Sequence, residues 1–227
     1  MPAPSARTRV ARLPDRGHYD PADIHAILDA AFLCHIGFIL PSDKAALGAS
    51  EAMQPAQPCV IPTLFGRDND HVFFHGSAAS RMLRTAATDI QVCMEVTLVD
   101  GIVLARSAFH HSMNYRSVVV FGRAQIVTED AQKRRALEII SDHIIPGRWQ
   151  QVRQPTAQEL KATSVLSLSL SEASAKIRTG PPKDDEADYV LPIWAGVLPL
   201  HQTAGNLIPD PKLPQAIPAP TNLKPRS

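Results

Sequence analysis

The sequence lacks the short motifs that mark the common nucleotide and metal sites. It contains no GxGxxG and no P-loop lysine motif, so the classical dinucleotide and NTP folds are set aside. It contains no HExxH and no CxxC spacing, and the four-residue separation of His71 and His75 along one strand is too long for easy chelation. No metal site built by protein ligands is therefore expected.

Cysteine, net charge and long apolar runs are also scarce. Three cysteines, at 34, 59 and 93, cannot form a disulfide framework and indicate a reducing compartment. Lys and Arg total 23 against 22 Asp and Glu, so the charge of +1 provides no overall field for nucleic acid or an anionic membrane. No apolar run approaches the roughly 18 residues of a membrane span. These absences predict a cytoplasmic protein that binds neither nucleic acid nor membrane.

Proline, in contrast, is abundant and unevenly placed. Of the 20 prolines in 227 residues, six follow residue 208 with almost no hydrophobic periodicity between them. Four arginines and three prolines occupy the first 17 residues. We therefore predict a flexible basic arm over 1–17, one folded domain over 18–202 and a Pro-rich tail over 203–227.

Helix signals are few but well formed. An N-cap at Asp20 followed by Pro21 predicts a helix that feeds a strand. Ser77 is placed to cap a helix that runs through Leu83. A third helix starts at 128–130 and ends at 146–147, and the tetrad 156–159 has capping-box spacing.

Strand signals dominate the rest of the chain. Asp100-Gly101 is the strongest short hairpin signal, and the segment 41–57 has the composition of an inserted loop or short helix. At least six strands in mostly hairpin order predict a mainly β fold, a closed antiparallel barrel with peripheral helices. The predicted strands are 33–40, 58–66, 71–75, 90–99, 102–109, 114–127, 164–171 and 189–200.

Three segments have the residue types of a ligand site. In HGSAASRM (75–82), Ser77, Ser80 and Arg81 surround a predicted helix start, which suits a phosphate, although ordinary capping with a solvated arginine explains the same residues. Arg116 and Ser117 lie at the rim of a predicted strand, where solvation is the common alternative.

The third segment is Trp194-Ala195-Gly196. An indole beside a glycine suits a flat ligand that approaches the backbone, whereas most strand tryptophans are core residues.

Taken together, the order of these segments resembles the flavin-binding split barrels related to pyridoxamine 5′-phosphate oxidase, in the branch that includes nitroimidazole-resistance-type reductases. The resemblance runs from about Arg16 to His201. It is carried by CVIPTLFGRDNDHVFFHGSAASRMLR, ARSAFHHSMNYRSVVVFG, ELKAT (159–163), SAKIRTGPP (174–182) and WAGVLP (194–199).

The resemblance implies an antiparallel split β-barrel and a homodimer with FMN at the subunit interface. The backbone of Ile61, Pro62, Thr63 and Leu64 would run along the isoalloxazine edge, and the phosphate end would meet His75, Ser77, Ser80 and Arg81. Arg116, Ser117 and Trp194 would come from the partner chain. The cofactor would supply the redox chemistry.

Departures from the oxidase pattern narrow the expected activity. Met82 stands where the oxidases have a phosphate-binding lysine, and Ser117 replaces a longer glutamine. Pro199-Leu200-His201 lacks the arginine that grips the pyridoxal substrate. Efficient pyridoxamine phosphate oxidation is therefore not expected.

The first functional hypothesis is a flavin-dependent oxidoreductase acting on a small organic substrate, with His75 and Tyr115 as candidate proton donors. A flavin-binding or flavin-sensing module without turnover is the second. The third is a haem-binding split barrel. Its candidate axial ligands are His75, His110, His111 and His201.

Overall fold

A computed structural model describes residues 4–40, 56–77, 91–214, 217–220 and 223. Within this part of the chain there are three α-helices and ten β-strands. The helices are α1 (Pro21–Ala30), α2 (Asp130–Ile144) and α3 (Ala157–Ala162). The strands are β1 (Gly17–His18), β2 (Leu33–Leu40), β3 (Gln57–Asp68), β4 (His71–Ser77), β5 (Gln91–Leu104), β6 (Ser112–Arg123), β7 (Gln125–Ile126), β8 (Thr163–Ser169), β9 (Ala173–Arg178) and β10 (Gly196–Pro199).

The strands form one antiparallel sheet that follows an open path. Its order is β1-β9-β6-β5-β2-β3-β4-β8-β7, and β10 pairs with the second half of β5. Strand β3 changes partner along its length, from β2 at residues 57–64 to β4 at residues 65–68. An open sheet that changes partner in this way is a split barrel. It corrects the closed barrel predicted from the strand pattern and agrees with the split barrel implied by the resemblance.

Alternation along the central strands determines which side chains form the core. Ile36, Met94 and Val120 lie side by side in the register of β2, β5 and β6, and all are fully buried. Their neighbours one residue along each strand face the opposite side of the sheet. Helix α1 covers one end of the core with Ile27 and Leu28. The interior of the barrel is therefore apolar and filled, so a large ligand must bind outside it.

Helix α2 packs closely on β3 at Gly66. A Cβ atom at this glycine would lie 2.7 Å from the Cα of Ile140 and 2.8 Å from the carbonyl oxygen of Ile139. His143, on the same helix, is 2.7 Å from the carbonyl oxygen of Ala31 through its Nε2. The absence of a side chain at Gly66 thus sets how closely the helix approaches the sheet.

Asp100-Gly101 does not form the predicted hairpin turn. Strand β5 continues through both residues, and its register with β6 shifts between Val99 and Gly101, so Asp100 is the extra residue of a β-bulge. The chain instead reverses at 105–111. Gly101 permits β10 to approach, because a Cβ there would lie 3.0 Å from the carbonyl oxygen of Leu198.

Three further corrections concern the strands. The segment 189–200 is a strand only at Gly196–Pro199. Strand β9 was missed because its sequence ASAKIR is short and, although apolar and polar residues alternate, two of its three apolar residues are alanines, which are weak strand formers. The predicted long strand 114–127 is interrupted at Ala124, where β6 ends and β7 begins.

The predicted strand 102–109 is wrong beyond Leu104, where β5 ends, and residues 108–110 form a 3₁₀ turn. The remaining helix and strand predictions within the described part are confirmed. Asp20 accepts a hydrogen bond from the amide of Ala22 and caps α1, and Thr156 and Glu159 form a complete capping box at α3. The helix predicted after Ser77 and most of the segment 41–57 lie outside the described residues. Within the described residues, no helix is both long and apolar enough to cross a membrane.

Candidate functional site

The first half of β3 carries the predicted flavin-edge residues. Along residues 57–64, β2 is the strand partner of β3 within the described part of the chain, so the other edge of β3 presents alternate amide and carbonyl groups away from the sheet. Ile61 and Leu64 are both more than a third exposed. This edge has the free backbone groups that a flat heterocycle needs.

Cys34 lies beneath this edge, and its thiol is unreactive. Its thiol donates to the carbonyl oxygen of Thr63 at 3.5 Å. Burial, and secondarily the charge of Glu95, raises the pKa of Cys34 to about 12. The thiol stays protonated at neutral pH and is not a nucleophile.

His75 and Ser77 lie at the end of β4, opposite Val165 and Thr163 of β8. The Nδ1 atom of His75 is buried and has no hydrogen-bond partner among the described residues. Burial lowers the pKa of His75, so the ring is neutral at physiological pH. A neutral imidazole with an unpartnered nitrogen has the donor atom that a metal centre requires.

Arg116 is held by Asp100, a residue that sequence reasoning did not connect with it. Its Nε and Nη2 atoms donate to the two carboxylate oxygens at 2.9 and 2.7 Å. These hydrogen bonds are the main reason that the pKa of Arg116 is raised. The pair lines a cavity of about 560 Å³ together with Phe32 and His201. The bulge brings Asp100 into this position, which a turn at the same residues would not do.

Ser117 and Tyr115 face the other side of the sheet from Arg116, because successive strand residues alternate. We call this side the outer face. Residues that are paired across neighbouring strands share a face of the sheet. Leu64 is paired with Leu33, and Ser117 is paired with Thr97, on this outer face. Three interstrand steps separate β3 from β6, which is about 14 Å. One chain therefore does not bring Ser117 against the flavin edge of its own β3.

Trp194 lies outside the strands, just before β10. Its indole ring covers Gly196, where a Cβ atom would lie 2.9 Å from two ring carbons. The ring is 71% exposed. The sequence pattern of a tryptophan beside a glycine thus produces a flat, solvent-facing aromatic surface rather than a core residue.

The remaining candidate residues are Ser80, Arg81, His110 and His111. Ser80 and Arg81 lie outside the described residues. His110 has its Nε2 atom 3.3 Å from a carboxylate oxygen of Asp185, and His111 accepts the amide hydrogen of Ala105 through Nδ1 at 3.0 Å. Within the described part of the chain, no group of three or more His, Cys, Asp or Glu residues is arranged to hold a metal ion.

The outer face exposes more apolar surface than the sequence suggested. Val60 is 67% exposed, and four apolar neighbours on the same face are each at least two-fifths exposed. These neighbours are Leu33, Ile39, Leu64 and Val99. An apolar patch of this kind marks an interaction surface in soluble proteins. The sequences of β2 and β3 indicate this surface, because apolar residues occupy both faces of these strands instead of alternating with polar ones.

Comparison with known proteins assigns the family. The family model described as pyridoxamine 5′-phosphate oxidase matches residues 20–177. The chain belongs to this family. No curated protein sequence matches it.

Two solved structures are similar over nearly the whole chain. The flavocytochrome Anf3 from Azotobacter vinelandii is 40% identical, with a TM-score of 0.86, over 97% of this chain and 96% of that one. An FAD and haem binding protein from Mycobacterium smegmatis is 31% identical, with a TM-score of 0.80, over 91% and 95%.

A third structure supports the fold alone. A protein described as a 5-nitroimidazole antibiotic resistance protein from Bacteroides thetaiotaomicron is 21% identical, with a TM-score of 0.53, over 71% of this chain and 86% of that one.

Proposed function

We propose that this protein is a flavocytochrome-like redox protein that binds one flavin and one haem per chain. The observation that carries the proposal is the 40% identity, over 97% of the chain, with a flavocytochrome. The FAD and haem binding protein at 31% identity supports the same pair of cofactors. The proposal joins the flavin hypothesis with the haem alternative from the sequence.

The flavin is proposed to lie along the free edge of β3. Backbone groups of residues 61–64 would hold its ring, and Trp194 of the partner subunit would cover the ring. Ser77, with Ser80 and Arg81, is proposed for the phosphate end. FMN is the flavin that the sequence resemblance implies, whereas the M. smegmatis relative supports FAD. We propose FAD, which contains the whole of FMN and therefore uses the same ring site.

His75 is the residue proposed to hold the haem iron. Of the four candidate histidines, His110 faces a carboxylate, the Nδ1 of His111 accepts a backbone amide, and His201 is exposed. His75 combines a buried, unpartnered ring nitrogen with a lowered pKa, and both properties suit coordination of iron. With His75 assigned to the iron, Tyr115 is the proposed proton donor near the flavin.

The working unit is proposed to be a homodimer. The outer face has the exposed apolar residues that a second copy would cover, and Ser117 lies about 14 Å across that face from the β3 edge of its own chain. A twofold partner would bring its own Ser117 to the edge of β3. This geometry supports a flavin site shared by two chains.

When bound, the two cofactors would supply electron exchange with organic molecules at the flavin and with iron at the haem. The proposed activity is therefore an oxidoreductase on a small organic molecule, and nitro, quinone and aldehyde compounds are the classes to screen with NADH or NADPH. Pyridoxamine phosphate is a poor candidate, because the sequence Pro199-Leu200-His201 lacks the arginine expected to grip it.

Cofactor extraction tests the proposal. Protein produced with added haem precursor should release one flavin and one haem per chain, and mass spectrometry should identify the flavin as FAD. His75→Gln should lose haem and keep flavin. The matched control His18→Gln, which removes a half-exposed ring paired with Asp23, should keep both cofactors. If wild-type protein releases flavin but no haem, the protein is a flavoprotein only. If it releases neither cofactor, the proposal is overturned.

A further inference from the structure

A cavity with positively charged walls lies on the outer face of the sheet, where the N-terminal arm meets β6 and β9. It is open to solvent and has a volume of about 560 Å³. Its charge comes from Arg12, Arg16 and Lys176, and Tyr115 also lines it. None of the described residues that line it is acidic. We call it the basic cavity.

Two backbone features hold the arginines of the arm at this cavity. Strand β1 pairs Gly17 with Lys176, so Arg16 enters the edge of the sheet beside that lysine. Leu13 adopts a left-handed conformation, with φ at 57°, and its carbonyl oxygen accepts the amide hydrogen of Arg16 at 3.0 Å. Because of this short turn, Arg12 and Arg16 line the same cavity.

The three cations have no carboxylate partner in the described part of the chain. No ion pair within 4 Å and no side-chain hydrogen bond there joins Arg12, Arg16 or Lys176 to an acidic residue. Arg106 and Arg116, in contrast, each pair with an aspartate at 3.0 Å or less. The basic cavity therefore carries an uncompensated positive charge, which attracts an anionic ligand.

A fourth cation lies beside the basic cavity. Arg178 is paired in register with Tyr115 and is only 7% exposed. Burial first, and then the charge of Arg16, lowers the pKa of Arg178. The acceptors of its side-chain hydrogen bonds are all neutral, namely Asn114 Oδ1 and the carbonyl oxygens of Gly180 and Pro181. An anion in the cavity would therefore offset the repulsion between the two guanidinium groups.

The basic cavity also has an apolar part. Leu13 and Met113 line it, and they are 46% and 43% exposed. An inorganic ion would leave both side chains in contact with water, whereas the hydrocarbon part of an organic acid would cover them. The combination of cations and apolar side chains thus suits an organic anion better than an inorganic one.

The basic cavity adjoins the residues that are proposed to meet the flavin. Lys176 lies directly opposite Ser117, whose hydroxyl donates to the Lys176 carbonyl oxygen at 3.3 Å. Tyr115, the proposed proton donor, is two residues from Ser117 on the same face of β6. A twofold axis that brings Ser117 to the β3 edge of the partner subunit therefore brings the basic cavity to the same edge.

We propose that the basic cavity is the substrate site of the oxidoreductase and that its substrates are small organic anions. The carboxylate or phosphate group of the substrate accepts paired hydrogen bonds from Arg12 and Arg16 and contacts Lys176. The apolar body of the substrate lies against Met113, and its reducible group lies beside Tyr115. The inference rests on the proposed function, because it names the substrate class of the proposed flavin site.

Three nitro compounds of similar size test the proposal. The two anionic groups are carried by p-nitrobenzoate and p-nitrophenyl phosphate, and the neutral p-nitrobenzyl alcohol is the control ligand. Equilibrium dialysis measures their binding to full-length, cofactor-loaded protein in the oxidised state, with no pyridine dinucleotide present. Rapid mixing after anaerobic photoreduction then measures the rate at which each compound is reduced.

The test variants are the double variant Arg12→Gln/Arg16→Gln and the single variant Lys176→Gln. The matched control is Arg9→Gln/Arg135→Gln, which removes the same charge from two exposed arginines that do not line the cavity. The double test variant should bind at least one of the anions at least about tenfold more weakly and the alcohol less than about twofold differently. Lys176→Gln should show the same selectivity, and thermal unfolding should confirm that every variant is folded.

The outcomes separate the inference from the proposed function. A loss confined to the benzoate would assign a carboxylate, a loss confined to the phosphate ester would assign a phosphate, and both results support the inference. Anion binding that depends on Arg12 and Arg16, in a protein that holds no flavin, would support the anion site and overturn the proposed function.

Other outcomes would overturn the inference. If wild-type protein binds and reduces all three compounds equally well, the proposed function stands and the anionic substrate class is wrong. The same conclusion follows if wild-type protein binds neither anion, or if the test and control variants lose equal affinity.

Discussion

Asp100 and Arg116 face each other across strands β5 and β6 through two hydrogen bonds, of 2.9 and 2.7 Å. Both side chains are slightly more than a third exposed, so solvent screens the pair. Asp100→Asn should therefore lower the free energy of unfolding by about 1 kcal/mol or less. Arg116→Lys should lose a similar amount, because an ammonium group cannot form the paired contact. Urea unfolding at low and high salt measures both changes, and a loss above about 3 kcal/mol would show that the pair is shielded from solvent.

Gly66 provides a test of the packing between α2 and β3. Gly66→Ala places a Cβ against the backbone of Ile139 and Ile140, which cannot rotate away. The free energy of unfolding should fall by about 1–3 kcal/mol. The matched control is Gly122→Ala, also in a strand, whose Cβ would meet only the Leu168 side chain within 3 Å and should cost less. Equal losses in the two variants would contradict this account of the helix position.

Asp184 connects the loop after β5 to the segment after β9, and it predicts a pH dependence. Burial raises its pKa, but hydrogen bonds from the Arg106 side chain and from the amides of Ser107 and Arg106 outweigh burial, so the pKa of Asp184 lies below its ordinary value of 3.8. The ionised group therefore stabilises the fold above that value, and the stabilisation is lost as pH falls through the lowered pKa.

Acid unfolding of Asp184→Asn checks this sign. The variant should be less stable than wild type at neutral pH, and the difference should shrink as pH falls below about 3.8. Asp185→Asn is the control, because Asp185 is 81% exposed at its side chain. A stability difference that stays constant from pH 7 to pH 2 would contradict the lowered pKa.

His75 predicts a second pH dependence, of the same sign as that of Asp184 but nearer neutral pH. Burial lowers its pKa in the folded state below the ordinary value of 6.5. Between these two values the unfolded chain binds the additional proton, so stability of the cofactor-free protein should fall as pH decreases from 6.5 to the lowered pKa. Urea unfolding at several pH values in this interval measures the free energy of unfolding. This free energy should change more steeply with pH in wild type than in His75→Gln. Identical slopes would mean that the ring is solvated in the folded protein.

The apolar outer face predicts the effect of a charge on association. Val60→Glu places a carboxylate at the most exposed apolar residue of that face and should weaken self-association by at least about tenfold, as measured by sedimentation equilibrium. Val152→Glu is a control at a partly exposed loop position and should associate as wild type does. A wild-type monomer at micromolar concentration would remove the basis of the shared flavin site.

Local signals in the sequence predicted much of the fold. The cap at Asp20 and the capping box at Thr156 and Glu159 were confirmed because the side chains that form them lie within four residues of one another. Strands β2, β3 and β4 were predicted from apolar runs bounded by turn residues. The resemblance supplied the split barrel, which the strand pattern alone had suggested to be closed.

Other features depend on contacts between distant segments, and the sequence did not predict them. Asp100-Gly101 has the residues of a tight turn, but the pairing of β5 with both β6 and β10 makes it a bulge. The basic cavity joins Arg12 and Arg16 to Lys176, about 160 residues away in the chain. Such a cluster produces no local sequence pattern, because each arginine taken alone looks like a solvated residue of a flexible N-terminal arm.

The most direct test of the central claim is one anaerobic visible spectrum of the purified, cofactor-loaded protein, recorded before and after photoreduction of the flavin. The account predicts flavin bands and a Soret band in the same sample, and a Soret shift to the reduced form that follows flavin bleaching. His75→Gln should show the flavin bands alone. Flavin bleaching with no Soret band in wild-type protein, or a Soret band without flavin, would contradict a redox protein that couples the two cofactors.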